Sequence, residues 1–167
     1  MRTVAALALA AALLGGCGLR PLYAGGGAGP VAASLATIGV EAPGGRSGWL
    51  MRNALVDRLG QGAAPTTPRY TLQVELDDSI QGFGIRADSA VTRERRTLRA
   101  RYRLVEAGQV LLDATAGSDA GIDVVGSEYS TIAAEQTAEE RLVTAVADQI
   151  VARLALYVSR GGGGGTR

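Results

Sequence analysis

The sequence predicts an α+β fold, a two-layer sandwich in which two helices pack on one face of a four-stranded mixed sheet. Four segments alternate apolar and polar residues with a period of two, which is typical of half-buried strands, and two longer segments carry apolar residues at helical spacing. The order along the chain is β-α-β-β-β-α. Elements that each bury one apolar face pack as two layers around a shared core.

The first strand and the first helix lie near the start of the predicted domain. Ala36, Ile38 and Val40 alternate with small or polar neighbours, which predicts a short strand that residues 43–45 (PGG) close. The helix that follows is predicted to begin at Ser47 as N-cap and to stop at Gly60. Its apolar positions at helical spacing are Leu50, Met51, Ala54, Leu55 and Leu59. A strand, a helix and another strand predict a crossover between parallel neighbours.

The second and third strands differ in the face that they turn away from the core. Apolar and polar residues alternate from Tyr70 to near Ile80, whereas residues 81–92 have no clean period and are predicted to be a connecting loop or a frayed continuation. From Arg93 the alternation resumes. Its apolar positions are Leu98, Ala100, Tyr102 and Leu104, and the opposite positions are Arg95, Thr97, Arg99, Arg101 and Arg103. The third strand therefore has an arginine face.

The last strand and the long C-terminal helix complete the predicted fold. A turn over residues 106–109 leads into an antiparallel return strand, Val110 to Ala116. Residues 117–128 are rich in Gly and Asp, after which Ser130 or Thr131 is predicted to cap the helix. The apolar stripe of this helix is Ala138, Leu142, Val143, Val146, Ala147, Ile150, Val151, Leu154, Tyr157 and Val158. Charged residues interrupt it, so we interpret it as a core helix.

Composition limits the chemistry that this chain can perform. Its 167 residues carry 17 basic and 16 acidic side chains, and every basic residue is arginine. With no histidine and one cysteine, sites built on histidine, zinc sites of His and Cys, and intrachain disulfides are excluded. The near-neutral balance argues against nucleic-acid binding. We expect no enzyme activity, no catalytic residues, no metal and no cofactor.

The N-terminus has the pattern of an export signal. Arg2 precedes an unbroken apolar run, Val4 to Leu14, that is too short to span a bilayer. The run leads into Leu14-Gly15-Gly16-Cys17, which resembles the bacterial lipobox. That resemblance implies removal of residues 1–16 and lipidation of Cys17, and Gly18 at the next position favours the outer membrane. The alternative is an ordinary signal peptide that leaves a free thiol.

Glycine content predicts the boundaries of the domain. Residues 17–34 contain a Gly-rich stretch and are predicted to form the lipidated cysteine and a flexible tether. The folded domain is predicted over residues 35–158. The Gly-rich tail, residues 159–167, has no apolar residue to anchor it and is predicted to be disordered.

Several short segments match the pattern of one known family. They are residues 17–23 (CGLRPLY), residues 51–55 (MRNAL), the Tyr70-x-Leu72-x-Val74 pattern, and Tyr129, Ala138, Arg141, Ile150, Arg153, Leu154 and Tyr157 near the end. Together they resemble the LptE family of lipopolysaccharide-assembly lipoproteins, in its alphaproteobacterial form. The resemblance covers essentially the whole mature domain. It implies a lipid-anchored protein of the cell outer membrane that sits on the periplasmic side and in the lumen of the LptD β-barrel. Such a protein helps the barrel assemble and assists lipopolysaccharide delivery to the outer leaflet.

The densest positive cluster is the candidate contact site. Its members are Arg93, Arg95, Arg96, Arg99, Arg101 and Arg103. Arginine binds phosphate bidentately, so the cluster suits lipopolysaccharide; carboxylates of the barrel, or solvent alone, are the other interpretations. An alternative function is a free-standing, periplasm-facing lipoprotein that binds peptidoglycan or another polyanion. A lipid-anchored hydrolase is a weaker alternative, because histidine and lysine are absent from the sequence.

Three other features have ordinary explanations. Trp49 is expected to be a core or interface anchor. Residues 82–87 (GFGIRA) fit the letters of a dinucleotide-binding loop, but no amphipathic helix follows them. Asp77 and Asp78 are adjacent, so in a strand they point to opposite faces and are not expected to act as a catalytic pair.

Overall fold

The sheet has four strands in the order β1-β2-β3-β4. The structure is a computed structural model, and it describes residues 29–60, 64–65, 67–85, 91–124 and 127–162. The elements are α1 (Pro30–Leu35), β1 (Ile38–Glu41), α2 (Arg46–Gly60), β2 (Tyr70–Ile85), β3 (Val91–Glu106), β4 (Gln109–Asp123) and α3 (Glu128–Tyr157), followed by a wider helical turn, Val158–Gly162. The predicted α+β class, a four-stranded mixed sheet with helices packed on it, is confirmed.

The sequence pattern does not predict the first helix, α1. Pro30 occupies its first turn, where the fixed φ of proline suits a helix start. Leu35 is buried in the core and Val31 packs against it. The helix overlaps residues 30–34 of the predicted tether, while residues 17–28 lie outside the described part of the chain.

β1 and β2 are parallel neighbours connected through α2, as predicted. The helix begins at Arg46, so Ser47 lies in the first turn and the prediction that it is the N-cap is wrong. Its hydroxyl is used in contacts with other elements instead. A Cβ at the buried Gly48 would lie 1.9 Å from the carbonyl oxygen of Pro43. The connection therefore folds so closely onto the helix that glycine is required there.

β2 and β3 form a much longer antiparallel pair than the alternation predicts. β2 continues to Ile85 and β3 begins at Val91, so within residues 81–92 the loop interpretation is wrong at both ends and the continuation of the strand is right. Backbone pairing across the two strands maintains this extension although glycines interrupt the side-chain pattern. Residues 86–90 lie outside the described residues.

β4 also extends beyond its predicted end at Ala116, through the Gly- and Asp-rich segment to Asp123. Small and acidic side chains hide the alternation there, but the backbone pairs with β3 along this whole stretch. In the connecting turn Ala107 and Gly108 have φ values of 48° and 83°. Two positive φ angles in succession form the two-residue hairpin turn that matches strand twist.

The core lies between the sheet and the two long helices. α3 begins at Glu128 after Ser127, so the predicted caps Ser130 and Thr131 are wrong. The connection between the end of β4 at Asp123 and the start of α3 is shorter than predicted. The buried members of the predicted stripe are Ala138, Leu142, Val143, Val146, Ala147, Ile150, Val151 and Leu154. By length and composition alone Glu128–Gly161 could cross a membrane. Burial of the stripe against the sheet is what a core helix shows.

Candidate functional site

β3 turns a row of arginines toward the face of the sheet opposite the helices. Its alternate apolar residues Leu98, Ala100, Tyr102 and Leu104 are buried in the core. Successive side chains of a strand point to opposite faces, so the intervening positions point away from the helices. We call the arginines at those positions the arginine strip: Arg93, Arg95, Arg99, Arg101 and Arg103. The strip runs along the middle of an open face between β2 and β4.

Four arginines of the strip pair with acids on the neighbouring strands. Arg101 Nε and Nη2 donate to Asp113 Oδ1 and Oδ2 at 3.1 and 2.7 Å, and Arg103 Nη2 donates to Glu75 Oε1 at 2.6 Å. The remaining pairs are Arg93 with Asp123 at 2.8 Å and Arg95 with Asp119 at 3.8 Å. Ion pairs in contact with solvent contribute little to stability, because water competes for both partners. These arginines are therefore held only weakly by their present partners.

Two of these four pairs stabilise the charged forms of their members. The hydrogen bond from Arg101 lowers the pKa of Asp113 below its ordinary value and raises the pKa of Arg101. The hydrogen bond to Asp123 likewise raises the pKa of Arg93. All three shifts favour the charged forms. The strip is thus a fixed array of full charges compensated by nearby acids.

Arg99 differs from the other members of the strip. It is exposed and forms no ion pair with a described residue. It lies across Gly117 of β4, where a Cβ would be 3.4 Å from Arg99 Cγ. A depression of about 530 Å³ opens here, and its lining includes Glu75, Asp77, Arg99, Arg101, Thr115 and Gly117. Among the described residues of the strip, Arg99 alone has no ion-pair partner and lies beside a position without a side chain, which makes it the best-placed cation for an external anion.

Arg96, a predicted contact residue, lies on the other face and is not part of the strip. Its Nε and Nη2 donate to Asp78 Oδ1 and Oδ2 at 2.9 and 2.5 Å, and its Nη1 donates to the carbonyl oxygen of Glu135 at 3.0 Å. The Arg96 side chain is 12% exposed. Their hydrogen bonds lower the pKa of Asp78 and raise the pKa of Arg96. We therefore leave Arg96 out of the candidate contact surface.

A buried carboxylate on α3 joins this pair to α2. Glu139, whose side chain is 5% exposed, accepts hydrogen bonds from Arg46 Nε at 3.1 Å and from Ser47 Oγ at 2.6 Å, and Arg96 Nη2 lies 3.5 Å away. Ser47 Oγ is also 3.1 Å from Asp78 Oδ2. We call these five residues the buried charge network. It connects α2, α3, β2 and β3 at one place.

Comparison with known proteins identifies the family of this chain. The model of the LptE family, described as lipopolysaccharide-assembly, matches residues 35–154. The chain belongs to the LptE family. The resemblance inferred from the short matches is thereby confirmed, and the family gives the chain a role in lipopolysaccharide assembly. Comparison with curated proteins gives no match.

Solved structures show the same architecture as this LptE-family chain. A protein from Caulobacter crescentus described as a lipoprotein is 26% identical, with a TM-score of 0.66 over 79% of this chain and 97% of that chain. A minor lipoprotein from Acinetobacter baumannii is 14% identical, with a TM-score of 0.60 over 72% and 91%. Lipoprotein B from Nitrosomonas europaea is 13% identical, with a TM-score of 0.59 over 74% and 84%. The last two similarities show the fold alone.

The other residues considered in the sequence have different places in this LptE-family fold. Cys17 lies outside the described residues. Trp49 is 63% exposed, so it is not a core residue. Asp77 faces the depression and Asp78 the buried charge network, as their opposite orientations predict. Within residues 82–87, the described part lies in β2, so it does not form a dinucleotide-binding loop.

The buried charge network is the part of the site region that sequence reasoning missed. Glu139 falls among the apolar positions of α3 and was hidden by the strong apolar stripe around it. An acid at a position whose helical neighbours Leu142 and Val143 are core residues is the signal that could have revealed it. Burial of a carboxylate requires cationic or hydrogen-bonding partners. Arg96 and Arg46 supply them.

Proposed function

We propose that this LptE-family protein is an outer-membrane lipoprotein that plugs and helps assemble the LptD β-barrel and assists lipopolysaccharide transport to the outer leaflet. Family membership supports the role in lipopolysaccharide assembly. The observation that carries the finer proposal is the arginine strip, with Arg99 unpaired at the depression on an open face. The protein acts by contact, without a catalytic residue or cofactor.

The chemistry of the strip suits a phosphorylated glycolipid. Lipopolysaccharide carries phosphates and acidic sugars, and a guanidinium offers paired donors that match phosphate oxygens. Arg99 would bind first because it has no carboxylate to release. Arg101 would then exchange Asp113, an exposed partner, for a second anionic group. Acids on both flanking strands would limit binding of monovalent anions and favour a ligand with several charges.

The open face also suits a polar barrel lumen. The lumen of a transmembrane β-barrel is lined by polar side chains and water, and the open face alternates arginine with aspartate, glutamate and glycine. Both charge signs are available there for complementary pairs with a barrel wall. Some strip arginines would therefore contact carboxylates of the barrel while others contact lipopolysaccharide.

The proposal includes a lipid anchor at Cys17 and a folded domain over residues 35–158. Removal of residues 1–16 and addition of three acyl chains to Cys17 would hold the protein at the membrane far more firmly than one chain. The similar structure from Caulobacter crescentus, described as a lipoprotein, supports this anchoring. The tail after residue 158 is proposed to take no part in it.

Replacing Arg99 with Glu tests the lipopolysaccharide contact. We expect Arg99→Glu to weaken binding of lipopolysaccharide to the purified full chain by about tenfold, or 1.4 kcal/mol. Arg52→Glu is the matched control, because it makes the same charge change at an exposed position of α2. Gly117→Val, which fills the depression beside Arg99, should weaken binding by a smaller factor. Equal losses in Arg99→Glu and Arg52→Glu would remove the specific role of the strip.

Isolation from membranes tests the barrel partner. Extraction of the full chain in mild detergent, followed by affinity purification, should recover a large β-barrel protein in stoichiometric amount. Depletion of the chain should reduce lipopolysaccharide at the cell surface. Recovery of the chain alone, with surface lipopolysaccharide unchanged after depletion, would instead favour the free-standing lipoprotein that binds peptidoglycan or another polyanion.

A further inference from the structure

The two edges of the sheet are treated differently. β1 pairs with β2 over Tyr70–Gln73, and β2 continues to Ile85, so beyond Gln73 no described strand covers its outer side. On the opposite edge, α3 covers β4 at Gly117. The Gly117 N–H donates to Gln149 Oε1 at 3.4 Å, and Gln149 Nε2 donates to the Gly117 carbonyl oxygen at 3.2 Å. At Gly117 a side-chain amide thus covers the edge of β4, whereas no described strand covers the outer side of β2 beyond Gln73.

The backbone groups that β2 turns outward follow from this cap. In an antiparallel ladder, residues directly opposite each other either exchange both hydrogen bonds or direct both away. Gly117 directs its groups toward α3, so Arg99 opposite it directs its own toward β2, where Asp77 is its partner. The main-chain N–H and C=O of Asp77 thus point toward β3. The main-chain groups of its neighbours Leu76 and Asp78 point outward, away from β3.

The same alternation holds at the beginning of β2. The Thr37 carbonyl oxygen on the β1 side accepts from the Arg69 N–H at 3.0 Å, just before β2, and from the Tyr70 N–H at 3.4 Å, at its first residue. Tyr70 is six residues before Leu76, so in a regular strand the two point their main-chain groups to the same side. Above the end of β1, the residues with outward N–H and C=O groups are therefore Leu76, Asp78, Ile80 and Gly82. They form a continuous row of donors and acceptors along the uncovered edge.

Exposure shows that this row is open to solvent. Asp78 is an exposed residue although its side chain is only 19% exposed, so its main chain is in contact with solvent. Ile80 is 43% exposed. Asp77 is exposed on the other face and forms no ion pair with a described residue. A long uncovered edge of this kind pairs readily with another strand.

We propose that the outer edge of β2 from Leu76 to Gly82, which we call the free edge, binds an extended segment of a partner protein as an additional strand. The segment would turn apolar side chains toward Leu76 and Ile80 and basic side chains toward Glu75 and Asp77. Main-chain hydrogen bonds would supply affinity, and these alternate side chains would supply selectivity. The main-chain groups of the free edge belong to β2 and the arginine strip to β3, although Glu75 and Asp77 also line the depression beside Arg99. Pairing through these main-chain groups does not depend on lipopolysaccharide binding.

Charge distinguishes this partner from a second copy of the chain. Residues 75–82 contain acidic side chains and no basic one, so a second free edge offers no cation to Glu75 or Asp77. Opposite charges across a strand pair are stabilising, and self-pairing of two free edges lacks them. A segment with basic residues at alternate positions instead complements Asp77, which is unpaired among the described residues.

A synthetic peptide tests the proposal directly. The probe is a nine-residue peptide of alternating Val and Arg, and its controls are the same peptide with Glu in place of Arg and a form N-methylated at alternate residues. We expect the Val/Arg peptide to bind the purified full chain and to slow amide hydrogen exchange at Leu76, Asp78 and Ile80. The two controls should bind at least tenfold more weakly. Equal binding of the N-methylated form, or unchanged exchange at these amides, would overturn the proposal.

A substitution in the free edge provides the reciprocal test. Ile80→Pro removes an outward N–H while the hydrogen bonds between β2 and β3 remain, since proline is tolerated on the solvent side of an edge strand. Ile80→Ala is the matched control, because it shortens the side chain and keeps the N–H. We expect Ile80→Pro to weaken peptide binding at least tenfold and Ile80→Ala to weaken it much less. Equal losses would overturn pairing through the main chain.

Two further measurements separate this proposal from its alternatives. Gly117→Val lies on β4 and changes no charge, so it should leave binding of the Val/Arg peptide unchanged even where it weakens lipopolysaccharide binding. The two proposals can therefore fail independently. Analytical ultracentrifugation should show that the parent chain does not form a dimer that Ile80→Pro abolishes. A dimer with that behaviour would assign the free edge to a second copy and overturn the choice of partner. If circular dichroism shows that Ile80→Pro does not fold, the comparison between the Val/Arg peptide and its N-methylated form tests main-chain pairing instead.

Discussion

The two faces of β3 use the same residue type for opposite purposes. Arg96 points toward the helices, where Asp78 and Glu139 satisfy it and solvent is largely excluded. Arg101 points to the open face and pairs with Asp113 in contact with water. Geometry is similar in both pairs, since each is two-pronged. Burial decides that the first pair holds the fold and that the second remains available to a ligand.

The largest effect is expected from Arg96→Ala. This change leaves Asp78 and Glu139 without their shared cation, and removal of one partner from a buried ion pair costs about 3 kcal/mol. Thermal or urea unfolding should show this loss of stability. Arg101→Ala is the matched control and should leave the free energy of unfolding close to that of the parent chain. A similar loss in both variants would contradict the division between the two faces.

A smaller effect is expected from acid. The pKa of Asp78 is lowered in the folded chain, chiefly by its hydrogen bond from Arg96, so its contribution to stability is present above the ordinary aspartate pKa of about 4. That contribution is lost as the pH falls through the lowered folded-state pKa. Asp78→Asn should therefore be less stable at neutral pH and show a flatter decline of unfolding free energy below pH of about 4.

Asp113→Asn sharpens the same comparison. The pKa of Asp113 is also lowered by an arginine, but both partners are solvent-exposed, so screening reduces the coupling to folding. Denaturant unfolding across the acidic range should give nearly parallel curves for Asp113→Asn and the parent chain. If Asp113→Asn and Asp78→Asn flattened the decline equally, burial would not be the property that separates the two pairs.

The fold was predictable where one face of an element is continuously apolar. Alternation around Leu72 and Leu98 predicted the middle of β2 and β3, and the stripe around Ile150 predicted α3. Strand ends were not predictable, because Gly121 and its acidic neighbours carry no apolar signal while their backbone still pairs with β3. α1 was missed because a helix of one to two turns with small residues has little periodicity.

The strand that carries the candidate site was predictable, but which of its arginines belong to the site was not. The alternation that places Arg99 and Arg101 opposite Ala100 is a property of any strand. Arg96 was included because it lies among other arginines in the sequence, although the same alternation puts it on the core side. Its partners Asp78 and Glu139 lie far from it along the chain, so their contacts depend on how α3 crosses the sheet.

The arginine strip has a further consequence through its spacing. Alternate residues of a strand are about 6.6 Å apart, so Arg93 and Arg103 are separated by about 33 Å. The strip is therefore a ladder of similar anion positions, interrupted at Thr97, and not a single pocket. A ligand with two or more phosphates can move along such a row by breaking its contact with one arginine while a contact with another remains. Its affinity then depends on how the distances between its own phosphates match the distances between the arginines.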